Sequence, residues 1–199
     1  MLERGADVNT RDKDNATPLH LASYSGVASV VDVLLDHGAE ADAQNARADG
    51  QTPLHQGLHT PNEDNSRIVR LLLDHGVDVN ARDKDQETPL HFGCSIGDSE
   101  TALVLLDHGA ELSAQNANGQ TQLHRALQGS HYYTSDRVSR LLLERGVDVN
   151  ARDKDKASPL HLASSNSRSR IVQVLLDHGA KADAQNVDGQ TPSIAKQIQ

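Results

Sequence analysis

Residues 76–109 read GVDVNARDKDQETPLHFGCSIGDSETALVLLDHG, and the arrangement of this stretch recurs from end to end of the chain. Its fixed point is Thr88-Pro89-Leu90-His91. The same anchor returns as Thr17-Pro18-Leu19-His20, Thr52-Pro53-Leu54-His55, Thr121-Gln122-Leu123-His124 and Ser158-Pro159-Leu160-His161. A decayed copy stands at Thr191-Pro192-Ser193-Ile194, and successive anchors lie 35, 36, 33, 37 and 33 residues apart. Self-similarity at one period of about 20–50 residues is the mark of stacked supersecondary units, each too small to bury its apolar face alone.

Each unit reads the same way. Thr or Ser at the anchor suits a helix N-cap, and Pro suits the first helical position, where its missing N–H costs nothing. The anchor Leu points into the stack. Two residues past each anchor His stands Ala22, Gly57, Gly93, Ala126 or Ala163, small enough for neighbouring helices to approach. A turn and a second helix follow, such as Val30-Val31-Asp32-Val33-Leu34-Leu35. That helix ends Asp36-His37-Gly38: a residue able to act as a cation at the negative helix end, then glycine for left-handed backbone. The stretch up to the next anchor reads as a short hairpin with a polar tip.

A period near 33 residues carrying Thr-Pro-Leu-His and closing on Leu-Leu-x-x-Gly resembles the ankyrin repeat. The resemblance covers essentially the whole chain and implies an all-α solenoid, each repeat a helix-turn-helix plus a β-hairpin fingertip. We read residues 1–199 as a single domain: a partial repeat 1–11, repeats 12–44, 45–82, 83–115, 116–152 and 153–185, and a partial repeat 186–199. Leu2 to Asn9 matches the tail of a second helix, and the remnant after Thr191 supplies only a first helix. Both ends are therefore expected to be uncapped, with Leu2, Ile194 and Ile198 on apolar faces that favour end-to-end self-association. An array excised from a longer one, or engineered, fits this reading.

A longer period lies over the first. Repeats one, three and five share Arg-Asp-Lys-Asp tips at 11–14, 82–85 and 152–155, and residues 76–85 and 146–155 are identical. The intervening tips carry Asn45, Asn116 and Asn186 followed by Gly50, Gly119 and Gly189. The residue after the anchor His is Leu21, Phe92 or Leu162 in odd repeats but Gln56 or Arg125 in even ones. Two residues further on, Ser23, Cys94 and Ser164 face Leu58 and Leu127, a swap we read as compensation in packing. From anchor to closing glycine, odd repeats take 21 residues, the second 24 and the fourth 25. The additions, at 58–66 and 128–136, are rich in turn and cap residues and predict longer loops between the helices.

The totals exclude several classes of function. Lys and Arg number 19 against 28 Asp and Glu, a net charge of −9, which argues against nucleic acid or an anionic membrane as the main partner. The single Cys94 leaves no disulfide framework and suits a reducing, intracellular setting, cytoplasmic or nuclear. No apolar run reaches the roughly 18 residues of a membrane span. Hydrophobic residues make up 36% and aromatic ones only 2%, enough for small Leu, Val and Ala interfaces between repeats but poor for one large core.

Eleven histidines raise a metal or catalytic reading, but nine recur with the repeat and only His59 and His131 do not. Equivalent positions on packed helices lie about 10 Å apart, whereas a zinc ion needs its ligand atoms about 2 Å away. We expect no metal, no cofactor and no catalytic residue; no phosphate loop, nucleophile elbow or zinc spacing is present. The family implies a structural anchor His, hydrogen-bonded at the turn and to neighbouring backbone. Asn80 and Asn150, in Leu-x5-Asp-Val-Asn, resemble the target motif of an asparaginyl hydroxylase, though the same residues are ordinary repeat consensus.

The resemblance implies a non-catalytic module that binds a protein partner on a concave face of fingertips and first helices. Carried over by position, the contact residues are Lys13, Asp14, Tyr24, Arg47, Lys84, Asp85, Ser95, Asn118, Gln128, Lys154, Asp155 and Ser165. Tyr132 and Tyr133, adjacent in the second insertion, are expected in an exposed loop forming a further recognition surface with the loop at 59–66. An array with no partner of its own, and the targeting array of a larger multidomain enzyme, stay open as alternatives.

Overall fold

The computed structural model describes residues 7–46, 49–59, 61–129, 132–166 and 168–193, with backbone only at 132–135. Ten helices run through them in chain order: α1 (Pro18–Tyr24), α2 (Ala28–Asp36), α3 (Pro53–Gln56), α4 (Asn65–Asp74), α5 (Pro89–Ile96), α6 (Ser99–Asp107), α7 (Gln122–Gln128), α8 (Tyr132–Glu144), α9 (Pro159–Ser165) and α10 (Ser169–Asp177). No strand forms among the described residues, and the chain is an all-α repeat solenoid. The partial helix expected after Thr191 lies outside the described residues, as do Leu2, Ile194 and Ile198.

The helices start where the sequence says they should. Thr17 is extended at φ −89°, ψ 164°, and Pro18 follows it as the first helical residue. Thr52, Thr121 and Ser158 repeat that geometry. The second helices close on a left-handed glycine: Gly38, at φ 82°, lets Ala39 N–H reach back to Leu34 O at 3.0 Å. The preceding His37 donates from Nδ1 to Val33 O at 2.7 Å, a side-chain bond to a carbonyl of the last turn. His75, His108 and His178 do the same.

Two compact units emerge, one of residues 1–92 and 103–110, the other of 93–102 and 111–199. In the first, α1 packs on α2 and α3, while α4 packs on α2 and α3. Leu19, Val31, Leu54, Leu58, Ile68, Leu72, Leu90 and Leu105 are fully buried there. Gly57 shows why the position after the anchor must be small: a Cβ on it would lie 3.3 Å from Ile68 Cγ2 and 3.7 Å from the Cβ of Ser23. In the second unit α7 packs on α8 and α9, and α10 on α8 and α9, around Leu123, Leu127, Val138, Leu142, Leu160 and Ile171. Burying one such side chain contributes about 1.5–3 kcal/mol, so stability is spread over many small interfaces.

Burial does not follow the odd–even swap. The position of Leu58 and Leu127 is buried in odd repeats too, as Ser23, Cys94 and Ser164, whereas the position after the anchor His is half-buried or exposed throughout, Leu21 at 55%. The two insertions behave differently. In the second repeat the expected loop is present: α3 is a single turn and α4 does not begin until Asn65. Pro61 sits where the second helix would otherwise extend, and proline cannot occupy a helix interior. Asn62 then accepts from the Asp64 N–H at 2.8 Å and opens the helix.

The fourth repeat corrects the expectation. Tyr132 and Tyr133 lie not in a loop but in the first turn of α8, which has 13 residues against nine in α2. No proline or glycine interrupts Tyr132 to Glu144. Extending an existing helix costs far less than starting one, so the extra residues become helix. The surface expected from paired loops therefore loses its basis in this repeat, and the tyrosine side chains lie outside what is described.

Candidate functional site

The fingertips are built from one hydrogen-bonding device. In the tip at 12–16, Asp12 Oδ1 accepts from Asp14 N–H at 2.9 Å and Ala16 N–H at 2.8 Å, and Asp12 N–H donates to Ala16 O at 3.0 Å. The tips at 83–87 and 153–157 repeat this with Asp83 and Asp153. Even repeats use Asn instead: Asn116 Oδ1 accepts from Asn118 and Gln120, both at 2.9 Å. The device needs an acceptor oxygen on a short side chain, which either residue supplies, and this is the physical basis of the Asp–Asn alternation. Where a β-hairpin is expected, the described residues form tight turns without strand pairing.

The penultimate residue of every such tip is left-handed. Odd tips place Asn15, Gln86 and Lys156 there, at φ 59°, 59° and 54°. Even tips use glycine, and at Gly119 the choice is forced twice over. Its φ is +73°, and a Cβ would stand 3.1 Å from the backbone N of Lys154. That close approach comes from Lys154 N–H donating to Asn118 O at 2.9 Å.

Backbone bonds of this kind set the tips in rows within each unit. In the first unit Ala46 N–H donates to Asp14 O at 2.9 Å and Lys84 N–H to Asp49 O at 2.8 Å. Asp14, Lys84 and Asp85 thus share one row, beside Tyr24 at the end of α1. Lys13, Tyr24, Lys84 and Asp85 are exposed and Asp14 is half-buried. Arg47 lies outside the described residues. In the second unit the bond from Lys154 to Asn118 gathers Asn118, Lys154 and Asp155, all exposed. Gln128 and Ser165 are exposed at the ends of α7 and α9, Ser165 already donating to Leu162 O at 3.0 Å; Ser95 is half-buried in α5.

Behind the tips stand the anchor histidines. His55 Nδ1 receives the Thr52 N–H at 3.3 Å, so this nitrogen carries a lone pair. The proton is therefore on Nε2, which donates to Glu87 O of the next tip at 3.2 Å. His20 links Thr17 to Gln51 O, His124 links Thr121 to Ala157 O, and His161 links Ser158 to Gln190 O in the same way. The His takes the place of Glu or Gln in a capping box while fastening its repeat to the next. Burial pushes His20, His55 and His124 below the ordinary histidine range, His55 to about 4, although the carbonyl bonds pull the other way. His20, His55 and His124 are structural and neutral near pH 7.

Asn80 and Asn150 are also engaged. Asn150 Nδ2 donates to Gly179 O at 3.0 Å and its Oδ1 accepts from Lys181 N–H at 2.9 Å. Asn80 donates to Gly109 O at 3.1 Å. Each hooks the left-handed end of the following repeat. Cys94 is fully buried, and the loss of hydration pushes its thiol well above the usual range, so it is no nucleophile.

Sequence reasoning missed two residues. Arg168, only 6% exposed before α10, sends Nη2 to Gly129 O at 2.5 Å and Nη1 to Ala126 O at 3.5 Å. It clamps the end of α7, and it faces Asp136, whose carboxyl burial pushes up against the pull of Arg168, Arg140 and Arg170. The equivalent positions in repeats one and three hold Val27 and Asp98, so nothing in the pattern pointed to it. His59 could have been found: it is one of two histidines outside the repeat.

Paired helices, reciprocally capped and joined by turn-built tips, define a helical repeat protein whose side chains at the tips are presented rather than packed. The chain belongs to the ankyrin repeat family. Family models described as ankyrin repeats (3 copies) match residues 1–83 and 58–153, and one described as ankyrin repeats (many copies) matches 142–193. It is 34% identical over 197 residues to Ankyrin repeat and SOCS box protein 16 of Homo sapiens, covering 96% of this chain and 42% of that protein. Over 183 residues it is 33% identical to B-cell lymphoma 3 protein homolog of Mus musculus, covering 89% and 40%. Rabankyrin-5 of Mus musculus is 29% identical over 202 residues, covering 92% and 16%. The chain thus spans less than half the length of each relative. No described helix is long and apolar enough to cross a membrane.

Proposed function

We propose that this chain is a non-catalytic protein-interaction module, engaging a protein partner through the face made by its fingertips and first helices. The observation that carries the reading is the division of labour within the tips. Asp12, Asp83 and Asp153 each use Oδ1 to shape the turn, while Lys13, Lys84, Asp85, Lys154 and Asp155 stand exposed at the apices. Binding residues concentrate on such connections, held by a rigid scaffold. Opposite charges side by side on each apex favour selection of a partner by complementarity more than by raw affinity.

The test is capture of binding proteins on the immobilised chain, with a variant carrying Lys84→Ser, Asp85→Ser, Lys154→Ser and Asp155→Ser as comparison. These exposed sites lie off the core, so the melting temperature should stay within a few degrees. The expected result is loss of specifically captured protein from the variant. Equal capture by both, at equal folded fraction, would refute the fingertip assignment.

A further inference from the structure

Beside the fingertips of the first unit lies a cleft of about 400 Å³, at the lower end of the range for ligand sites. It is lined in part by Asp12, Asp14, Leu21, Tyr24, Asp49 and His59. Tyr24 and Leu21 are more than half exposed, while Leu19 and Ala22 of the same helix are buried, so the core does not use these two side chains. His59 belongs to the insertion of repeat two. Its ring centroid is 6.1 Å from Tyr24 and 5.2 Å from Phe92, making a row of three rings from three successive repeats. The whole chain has only three tyrosines and one phenylalanine, so two of the four stand in this row.

The His59 ring is fixed. Its Nε2–H donates to Gln51 Oε1 at 2.6 Å, an oxygen that also accepts from Gln56 at 2.6 Å. Gln51 in turn donates to Asp83 Oδ2 at 3.4 Å, tying the insertion to the next tip. Partial burial holds the imidazole below its ordinary pKa, so the ring is neutral near pH 7 and does not repel a cation. Among the described residues the lining includes three carboxylates and no Lys or Arg. Arg11, adjacent to Asp12, is turned to Glu40 at 2.8 Å.

Neutral rings under a carboxylate rim select a cation with a flat, weakly hydrated face. Guanidinium has that shape: it stacks on an aromatic ring while its N–H groups donate in the plane to carboxylates. An ammonium is a strongly hydrated point charge and gains less from the ring. A metal ion is a poor fit, because no group of His, Cys, Asp or Glu among the described residues is placed to hold one. We infer that the cleft between Tyr24, His59 and the Asp12, Asp14 and Asp49 rim receives an arginine side chain presented by the partner protein. This rests on the interaction-module reading and sharpens it to one side chain.

The experiment uses blocked pentapeptides, Gly-Gly-Arg-Gly-Gly and its lysine and citrulline counterparts, titrated into the full chain and followed by amide ¹H–¹⁵N shifts. The arginine peptide should give saturable shifts clustered at residues 12–24 and 49–59. Citrulline, which keeps the shape without the charge, should bind at least about tenfold more weakly, and lysine at least about threefold. Tyr24→Ala and Asp49→Asn should each weaken the arginine peptide about threefold or more, with shifts elsewhere unchanged. Equal binding of citrulline or lysine, shifts scattered over the acidic surface, or indifference to Tyr24→Ala would overturn the site. A partner still captured in full by the Tyr24→Ala, Asp49→Asn double variant would also overturn it while leaving the module reading standing. Failure of the wild-type chain to capture any protein specifically would strike the module reading, whereas saturable arginine-peptide shifts at the cleft would still support the site itself.

Discussion

Replacing His55 by Gln separates two things the anchor histidine does: capping its helix and titrating. The side chain is fully buried and neutral, with a folded pKa of about 4 against 6.5 for an unperturbed histidine. A group whose folded value lies below its unfolded one lends stability that is complete above the unfolded value. That stability is lost as pH falls from 6.5 toward 4. At roughly 1.4 kcal/mol per pH unit, His55 alone should withdraw about 3 kcal/mol across that window. The structural cause is direct: a proton on Nδ1 would face the Thr52 N–H that now donates there. Gln is the usual partner in a capping box and keeps the bond to Thr52. It lacks the ring's fixed reach to Glu87 O, which should cost about 1–2 kcal/mol at pH 7. Wild type should therefore be the more stable protein at pH 7 and the less stable at pH 4. Asp83 and Asp136 work in the opposite sense. Burial raises their folded values above 3.8, so they take up protons more readily when folded and add stability as the pH falls. That contribution is largely common to both proteins and cancels in the difference. Urea unfolding by circular dichroism at pH 7, 6, 5 and 4 measures the crossing, and exchange of the Thr52 amide gives its local counterpart. Parallel profiles for the two proteins, or a His55 ring titrating near 6.5 in the folded chain, would refute the reasoning.

Arg168→Ala should destabilise the second unit by about 2–4 kcal/mol, because the carbonyls of Gly129 and Ala126 lose their buried donor and Asp136 loses a neighbouring cation; a drop confined to the second unit in hydrogen exchange is the signature. Asn150→Ala removes both bonds to the end of repeat five and should cost about 1–2 kcal/mol in urea unfolding. Cys94, fully buried with its thiol held protonated, should resist iodoacetamide at pH 8 in the folded chain and react freely in urea, as mass spectrometry would show.

What the sequence made legible was whatever it said more than once. Five anchors at a common spacing determined the N-caps, the buried Leu19, Leu54, Leu90, Leu123 and Leu160, and the glycine-closed second helices. A position that occurs once has no such internal comparison. Tyr132 and Tyr133 read as loop from their turn-rich neighbours, yet the backbone there is helical because nothing between them and Glu144 stops it. Arg168 carries no signal in the repeat pattern, and only packing shows it buried against the end of α7.

The histidines carry the same lesson into chemistry. At the anchors the ring faces an N–H and keeps its proton on Nε2; at the helix ends it faces a carbonyl and donates from Nδ1. One residue type thus holds opposite tautomers according to the backbone group set before it, and in both places it is consumed by the fold. His59 faces neither a cap nor a helix end. Its ring is hydrogen-bonded to Gln51 and stands in a row between Tyr24 of the first repeat and Phe92 of the third. The tip charges recur in every odd repeat and offer the same contacts each time, so what marks out one place along the array has to come from residues that do not repeat. That is why the non-repeating histidine beside an exposed tyrosine, rather than any of the nine that recur, is where specificity is to be sought.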